Sequence, residues 1–540
     1  MNAPWAWLNL PAPHHQAYTQ NGAWADKTIA DLAYELTAAD PEFVAFIAGD
    51  TKMTRAELLR DAEALSVSLA DMGLVPGDVV SFQTPNWIEA AVINLACSMS
   101  GLIINPIVPI YRDHEVGMML GDCGSKVFFV ASSFRNYDFA AMAERLRPEL
   151  PALQHIVTVR GTGDNDYESL IAKGRGRPFN RPKVDAGAIK MLLYTSGTTG
   201  RPKGVLHSHN TLNRVLRMTQ QHWGIAPGDA IIMPSPVTHV SGYANGLELP
   251  LIAQTRTVLM EVWNTKDALA LIEEHQITGT VGATPFLTEL ANAASAACTR
   301  LPSLKFFACG GAAVPPDVIP SAIKAFANCA AFRVFGSSEV PLVTLGYPAR
   351  ADMALAATTD GAIIDYDVRI VDDRDQDVPT GQEGEILARG PAMFLGYADQ
   401  QQTADAITSG GYFRTGDLGV VTAQGALTIT GRKKDLIIRG GENISAKEIE
   451  DVLHTHPAVL ETAVVAMPHP RLGEGICAYV ILRDGQSVDA AGLAAHVEES
   501  GLAKQKIPER FEFVTDFPRT ASGKIRKDML RADVTKKIEG

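Results

Sequence analysis

From residue 55 onward, helical and strand patterns take turns along the chain, and this alternation limits the fold more than any other feature. Arg55 to Gly73 (RAELLRDAEALSVSLADMG) repeats apolar residues at helical spacing. Asp78 to Phe82 (DVVSF) is a short apolar run of strand length, and a helix resumes at Trp87. Strands separated by helices must cross over, so they align in parallel with helices covering the sheet. From Val368 the pattern changes: VRIVDDRDQDVPTGQEGEILARG reads as two strands around a polar turn, antiparallel in character. The expected class is α/β, a large body of several subdomains with mainly parallel sheets plus an antiparallel β region.

A second change comes near Gly431. After GRKKDLIIRGGENIS the chain reads helix, strand, strand, helix, strand. Ser445 followed by Glu448 fits a capping box for a helix running toward His454, while Glu461 to Met467 and Cys477 to Leu482 are strand-like. Residues 432–540 hold 17 basic and 17 acidic residues, so the net charge of -13 lies wholly upstream. A small, neutral α+β C-terminal domain is expected after about residue 432.

The 540 residues leave room for roughly two to four domains. An acidic chain lacks the general basic surface that a nucleic-acid or anionic-membrane binder needs. No basic leader followed by an apolar core precedes Tyr18, so no secretory signal is expected. Ala90 to Tyr111 carries no charge over 22 residues, but it contains Asn94, Asn105, Pro106 and Pro109. It reads as a buried helix, a break at Gly101 and a short strand rather than a bilayer span. The six cysteines (Cys97, Cys123, Cys298, Cys309, Cys329, Cys477) form no C-x-x-C pair and read as reduced, mostly buried thiols of a cytoplasmic protein. The histidine pairs at 14–15, 207/209 and 454/456 lack partners at zinc spacing.

The segment richest in chemistry is Tyr194 to Gly204, YTSGTTGRPKG, directly after the apolar Met191 to Leu193. Thr195, Ser196, Thr198 and Thr199 supply hydroxyls, and Gly197, Gly200 and Gly204 let the backbone approach a ligand closely. Such a loop can wrap phosphates with N–H groups and hydroxyls, with Lys203 adding charge. It is not a Walker A loop, because the sixth position from Gly197 is Pro202.

At this loop the sequence resembles the adenylate-forming superfamily, the AMP-dependent synthetases and ligases that include acyl-CoA synthetases, peptide-synthetase adenylation domains and luciferases. Further segments follow in that family's order. They are Pro236 to Gly242 (PVTHVSG), Gly310 to Pro315 (GGAAVP), Phe335 to Glu339 (FGSSE) and Gly384 to Tyr397 (GEILARGPAMFLGY). Gly411 to Leu418 (GYFRTGDL), Gly431 to Glu450 and Pro518 to Arg526 (PRTASGKIR) complete the set, and residues 24–120 are similar to the family's N-terminal subdomain.

The resemblance implies a two-step reaction. A carboxylate attacks the α-phosphorus of ATP, giving an acyl-adenylate and pyrophosphate, and a thiol then displaces AMP. Residues 1–431 would form the adenylation domain, 432–434 the hinge, and 435–540 a mobile lid. By resemblance, Lys524 bridges the substrate carboxylate and the α-phosphate, on a flexible stretch with Ser522 and Gly523. Glu339 holds Mg²⁺, a hard cation that takes oxygen ligands. Asp417 binds the ribose hydroxyls, Arg432 the ribose or phosphate, and Phe335 stacks on adenine. The rest of the nucleotide site would come from residues 195–200, Lys203, Gly310, Gly311, Ala312, Gly336, Ser337 and Ser338. His239 lines or gates the acyl channel. Lys434 occupies the hinge position, and Gly441 lies on the face offered to the pantetheine thiol. The chain departs from the family pattern at Phe335 (usually Tyr), Ser338 (usually Thr) and Ala446 (often Pro).

The resulting expectation is an acid–thiol ligase using ATP, Mg²⁺ and coenzyme A, with no nucleic-acid partner and no membrane span. The resemblance also leaves room for a homodimer. Alternatives within reach are an enzyme loading a carrier protein, a luciferase-like oxygenase and a non-catalytic nucleotide sensor. Ser235 to Gly246 (SPVTHVSGYANG) offers no acid for a substrate amine, so the substrate is expected to have an uncharged tail. Val237, Val240, Tyr243, Gly282 to Thr284 and Gly310 to Ala312 would wall its pocket. They suit a medium-chain, alicyclic or aryl-aliphatic acid, as in the medium-chain and cyclohexanecarboxylate-type ligases of fatty acid metabolism.

Overall fold

Residues 55–106 fold as their patterning requires. The helix Arg55–Asp71 starts at a capping box, in which Thr54 accepts from Glu57 N and the Glu57 side chain returns to Thr54 N. The strand Val79–Gln83 is buried throughout. The uncharged stretch after it is the buried helix Ile88–Ser100 and the short strand Ile103–Pro106, separated by Gly101 at φ 67°. A left-handed residue at that position ends the helix, which glycine allows without strain. The computed structural model describes residues 5–8, 13–163, 165–195, 202–311, 314–315, 317–520 and 524–539.

Among the described residues, two seven-stranded sheets carry the body. The first runs Ala330–Val334, Phe306–Gly310, Gly279–Gly282, Ala230–Met233, Arg256–Leu259, Val44–Ala48 and Thr51–Thr54. All its neighbours pair in parallel except the last two strands. The second runs Gly396–Tyr397, Lys203–Ser208, Ile189–Thr195, Ile103–Pro106, Val79–Gln83, Val127–Ala131 and His155–Val159. It is antiparallel over its first two pairings and parallel over the rest. Asn86 ties the two sheets together. It donates to the carbonyls of Met233 (3.2 Å) and Ser235 (3.0 Å) and accepts from Val237 N (2.8 Å).

The expected antiparallel region is a five-stranded sheet in which Asp367–Val371 pairs with Gly384–Arg389. One continuous apolar core joins all three sheets and contains no buried residue beyond Leu427.

Downstream, a separate five-stranded sheet is built from Leu436–Arg439, Glu442–Ser445, Val459–His469, Gly473–Leu482 and Arg510–Phe513. Its two long strands alternate sides, as a pleated backbone dictates. Val464, Ile476, Ala478 and Val480 face the helices Ala446–His454 and Ala490–Glu499. Ala463, Val465, Cys477 and Tyr479 face the C-terminal helix Lys527–Glu539 through Leu530 and Val534. Ser445 caps the first of these helices as expected, but Glu448 does not close the reciprocal half of a capping box; its carboxylate pairs with Lys506 at 2.6 Å. The C-terminal helix has no counterpart in the sequence reading.

Candidate active site

Four neighbouring parallel strands of the first sheet end at the same edge, and the family-like segments leave from those ends. Ser235 to Val237 follow Ala230–Met233, and Ala283 and Thr284 follow Gly279–Gly282. Gly310 ends its strand, and Phe335 follows Ala330–Val334. Gly310 and Val334 are register partners, so Gly311 and Phe335 emerge side by side. The crevice outside the carboxyl ends of parallel strands is where open α/β sheets bind ligands. Gly336 is closely wedged there: a β-carbon on it would lie 2.3 Å from Leu342 N. Phe335 is half-buried and packs on the main core.

Asp417 and Arg432 are direct cross-strand partners in the antiparallel sheet, joined by a 2.7 Å bond from Arg432 Nε to Asp417 Oδ1. Burial pushes the Asp417 carboxyl up, while Arg432, Lys524 and Lys434 pull it down. For Arg432, burial works against the charge, but Asp417 together with Asp435 and Glu339 outweighs it and raises the guanidinium above its ordinary value. Lys524 comes from the far lobe. Its pKa is pushed down to about 8, chiefly by burial and then by Arg432, with Asp417 and Glu339 opposing. His239 is pushed down to about 4 by burial and by Lys524, and is therefore neutral near pH 7. Lys524 therefore lies within electrostatic reach of Asp417, Arg432, Glu339, Lys434 and His239.

Lys524 is tied to Thr520 in both directions. Thr520 N donates to Lys524 O at 2.7 Å, and Lys524 N donates to Thr520 Oγ1 at 3.1 Å. Arg526 N closes the outer ring on Pro518 O at 2.7 Å.

Glu339 is buried and accepts at Oε1 from Tyr397 Oη at 2.8 Å. The Tyr397 ring in turn lies under Lys203, whose Nζ is 4.9 Å from the ring centroid. The backbone at Ser338 is fixed by His207, whose Nε2 donates to the Ser338 carbonyl at 2.7 Å. Burial pushes His207 down to about 4, so its ring is neutral with the proton on Nε2. Ser337 Oγ accepts from Val340 N at 3.3 Å, which turns the FGSSE segment back on itself. One oxygen of Glu339 is thus oriented by tyrosine and the other is left as a hard anionic donor, a set that fits Mg²⁺.

Thr195 and Lys203 are register partners that close the hairpin at the base of the threonine–glycine loop. Ser196, Gly197, Thr198, Thr199 and Gly200 lie outside the described residues, as do Ala312, Ser522 and Gly523. Gly441 is exposed at φ 91° in the turn between Arg439 and Glu442. Lys434 is exposed in the short turn after Arg432. Of the pocket-wall residues, Val237 and Tyr243 are completely buried. Tyr243 opens a π-helical turn, Tyr243–Glu248, and its hydroxyl donates to Asn94 Oδ1.

Sequence reasoning missed Tyr397, Lys190 and Glu248 as members of this neighbourhood. Tyr397 closes one of the family-like segments, which was the available signal. Lys190 and Glu248 form an ion pair with 1% and 0% of their side chains exposed, joined to Asn94 (Nδ2 to Glu248 Oε1, 3.3 Å). Neither stands in a motif.

Comparison with known proteins agrees with this geometry. Residues 35–398 match the family model for AMP-binding enzymes, and residues 448–524 match that for the AMP-binding enzyme C-terminal domain. The medium-chain fatty-acid–CoA ligase of Escherichia coli is 34% identical over 98% of this chain and 94% of its own length. The 2,3-dihydroxybenzoate-AMP ligase of Bacillus subtilis is 30% identical over 97% of this chain and 96% of its own. Among solved structures, ATP-bound MatB from Rhodopseudomonas palustris superposes with a TM-score of 0.83 at 27% identity, covering 93% of this chain and 98% of that one. The chain belongs to the AMP-binding enzyme family and is an ATP-dependent, AMP-forming ligase of it.

Proposed function

We propose that this ligase activates a carboxylic acid with an uncharged, apolar tail and passes the acyl group to coenzyme A in the cytoplasm. The observation that carries the reading is Lys524, a lysine of the C-terminal lobe that lies within the fields of Asp417, Arg432, Glu339 and His239. In the first step the substrate carboxylate oxygen attacks the α-phosphorus and the bond to the bridging oxygen of pyrophosphate breaks. Two anions must meet, and an ammonium delivered between them offsets their repulsion as charge develops. Asp417 accepts hydrogen bonds from the ribose hydroxyls and Arg432 holds its carboxylate in place. Phe335 stacks on adenine beside Gly310 and Gly311. The threonine–glycine loop, with Lys203 at its base, cradles the phosphates. Glu339 would hold Mg²⁺, which when bound neutralises phosphate charge; Tyr397 orients the Glu339 carboxylate for that role.

In the second step the thiolate of coenzyme A attacks the acyl carbon and AMP leaves. The small lobe reorients about Lys434, withdraws Lys524 and presents the face around Gly441. Neutral His239 lines the acyl channel without placing a charge beside an apolar substrate.

The substrate class rests on what the pocket lacks. Glu248, the carboxylate nearest the PVTHVSG segment in sequence, is committed to Lys190 and is not free to bind a substrate amine. The walls at Val237, Val240, Tyr243 and Gly282 are apolar or small. A medium-chain, alicyclic or aryl-aliphatic acid fits them, and the name of the Escherichia coli relative points the same way. The test is a screen of acids graded in chain length and ring content, with ATP and coenzyme A, reading AMP and thioester together. Thioester should form with mid-length apolar acids. AMP without thioester would transfer the reading to carrier-protein loading, and no AMP with any acid would overturn it.

A further inference from the structure

The two residues flanking Lys434 are each tied down, and to opposite sides. Upstream, Arg432 is bonded to Asp417. Lys433 Nζ lies 3.2 Å from both Glu385 Oε2 and Asp373 Oδ1, which belong to the antiparallel region of the body. Glu385 is 9% exposed, so this contact is not a wholly solvated one. Downstream, Arg531 Nη2 donates to Asp435 Oδ1 at 2.5 Å and to the carbonyl oxygen of Lys434 itself at 3.2 Å. Arg531 stands on the C-terminal helix, which is fastened to the lobe's sheet. Leu530 and Val534 sit in its core, Tyr479 Oη donates to Asp533 at 2.6 Å, and Lys537 Nζ pairs with Glu512 at 2.7 Å.

Each tie acts on a definite bond. The Lys434 carbonyl is coplanar with the 434–435 peptide, so holding that oxygen and the Asp435 side chain makes the peptide part of the lobe. Arg432 is a strand residue paired with Asp417, and Lys433 is tied through its side chain, so the chain as far as the Lys433 α-carbon goes with the body. What is left between them is ψ of Lys433 with φ and ψ of Lys434, whose side chain makes no hydrogen bond or ion pair among the described residues.

We propose that Lys433 with Glu385 and Asp373, and Arg531 with Asp435, are paired clamps that confine the lobe's rotation to the few backbone dihedrals next to the Lys434 α-carbon. The proposal rests on the reading that the lobe reorients at this residue. A swivel of so few dihedrals permits few poses, whereas a longer slack linker spreads the lobe over many. Lys524 must arrive in register with the reacting atoms, and small misplacement of a positioned group is expensive in rate. Arg531 and Lys433 are thus positioning residues that act through the lobe. The guanidinium can bond a carboxylate and a carbonyl at once, which a lysine ammonium does with less geometric definition.

Single-molecule energy transfer in the full-length enzyme tests this, with one dye on exposed Cys298 of the body and the other on Glu499→Cys in the lobe. The parent should show narrow peaks whose populations change with ATP and acid. Arg531→Ala should broaden them, and should lower kcat of ATP–pyrophosphate exchange about tenfold with KM for ATP changed less than about twofold. Asp435→Asn should reproduce this, and the double variant should be no worse than either single one, because the two side chains act as a unit. Lys433→Ala should broaden the peaks from the other side, which keeps the test open if Arg531→Ala does not fold. Parental peak widths in Arg531→Ala, or in both Asp435→Asn and Lys433→Ala, would overturn the clamps. Lys434→Pro isolates the underlying reading. It should leave a single narrow peak, and the parental set of peaks in that variant would instead remove the hinge.

Discussion

An ammonium that has to serve two anions works best where water cannot screen it, and worst when it loses its proton there. Lys524 shows both sides, since the burial that strengthens its field also brings its pKa down to about 8. The charged form holds below that value and is lost above it. In the enzyme without ATP, kcat/KM for ATP–pyrophosphate exchange should therefore stay level below pH 8 and fall as pH rises through about 8. No acidic limb from His239 should appear near pH 6.5, because that ring titrates at about 4. A pH profile that stays level to pH 10 would contradict the placement of Lys524 (about two decades of lost ammonium would go unnoticed). Lys524→Ala should cost adenylation about 2.7–4 kcal/mol, by analogy with a lost oxyanion donor. It should spare thiolysis of acyl-adenylate supplied from outside. Pyrophosphate exchange at the parental rate in this variant would remove Lys524 from the first step.

At the level of the element, the π-helical turn Tyr243–Glu248 stands out because both of its ends carry buried polar side chains. Glu248 pairs with Lys190, Asn94 links Glu248 to Tyr243, and Lys190 Nζ sits 5.4 Å from the centre of the Tyr243 ring. Removing one charge of a buried pair strands the other, at a cost of about 3–5 kcal/mol. Glu248→Gln should therefore lower the denaturation midpoint markedly, whereas Lys190→Met combined with Glu248→Leu should recover most of it. Calorimetry decides this: an unchanged midpoint in Glu248→Gln would mean the pair contributes nothing to holding the turn.

The same elements mark how far the sequence could be read. Parallel strands, the break at Gly101 and the Ser445 cap rest on residues a few positions apart, and local spacing revealed them. The Lys190–Glu248 pair spans 58 positions, and Arg531 reaches Asp435 across 96. No local pattern encodes such contacts. The C-terminal helix was hidden for another reason. Leu530 and Val534 are buried, but Met529 and Ile538 are 48% and 41% exposed, so its apolar residues do not trace one face. The candidate site residues stood out in the sequence because their motifs are dense in glycine and hydroxyls. Tyr397 was legible as part of a motif but not as a partner of Glu339, which only the fold brings next to it.

For the molecule as a whole, the proposed function has two half-reactions share one cluster of charges, with the lobe's orientation selecting between them. Lys434→Pro fixes one of the few free dihedrals and removes the backbone N–H at the swivel. It should impair thioester formation more than pyrophosphate exchange, as rapid-quench measurement of each step would show. Equal loss of both would count against rotation at this position. The lobe also keeps its apolar cores to itself, since both contain only residues from 437 onward. On the proposed reading, turning it over opens neither of these cores. The equilibrium between the two orientations should then carry a small heat-capacity change, leaving warming and cooling with little leverage over which half of the reaction the enzyme is poised to perform.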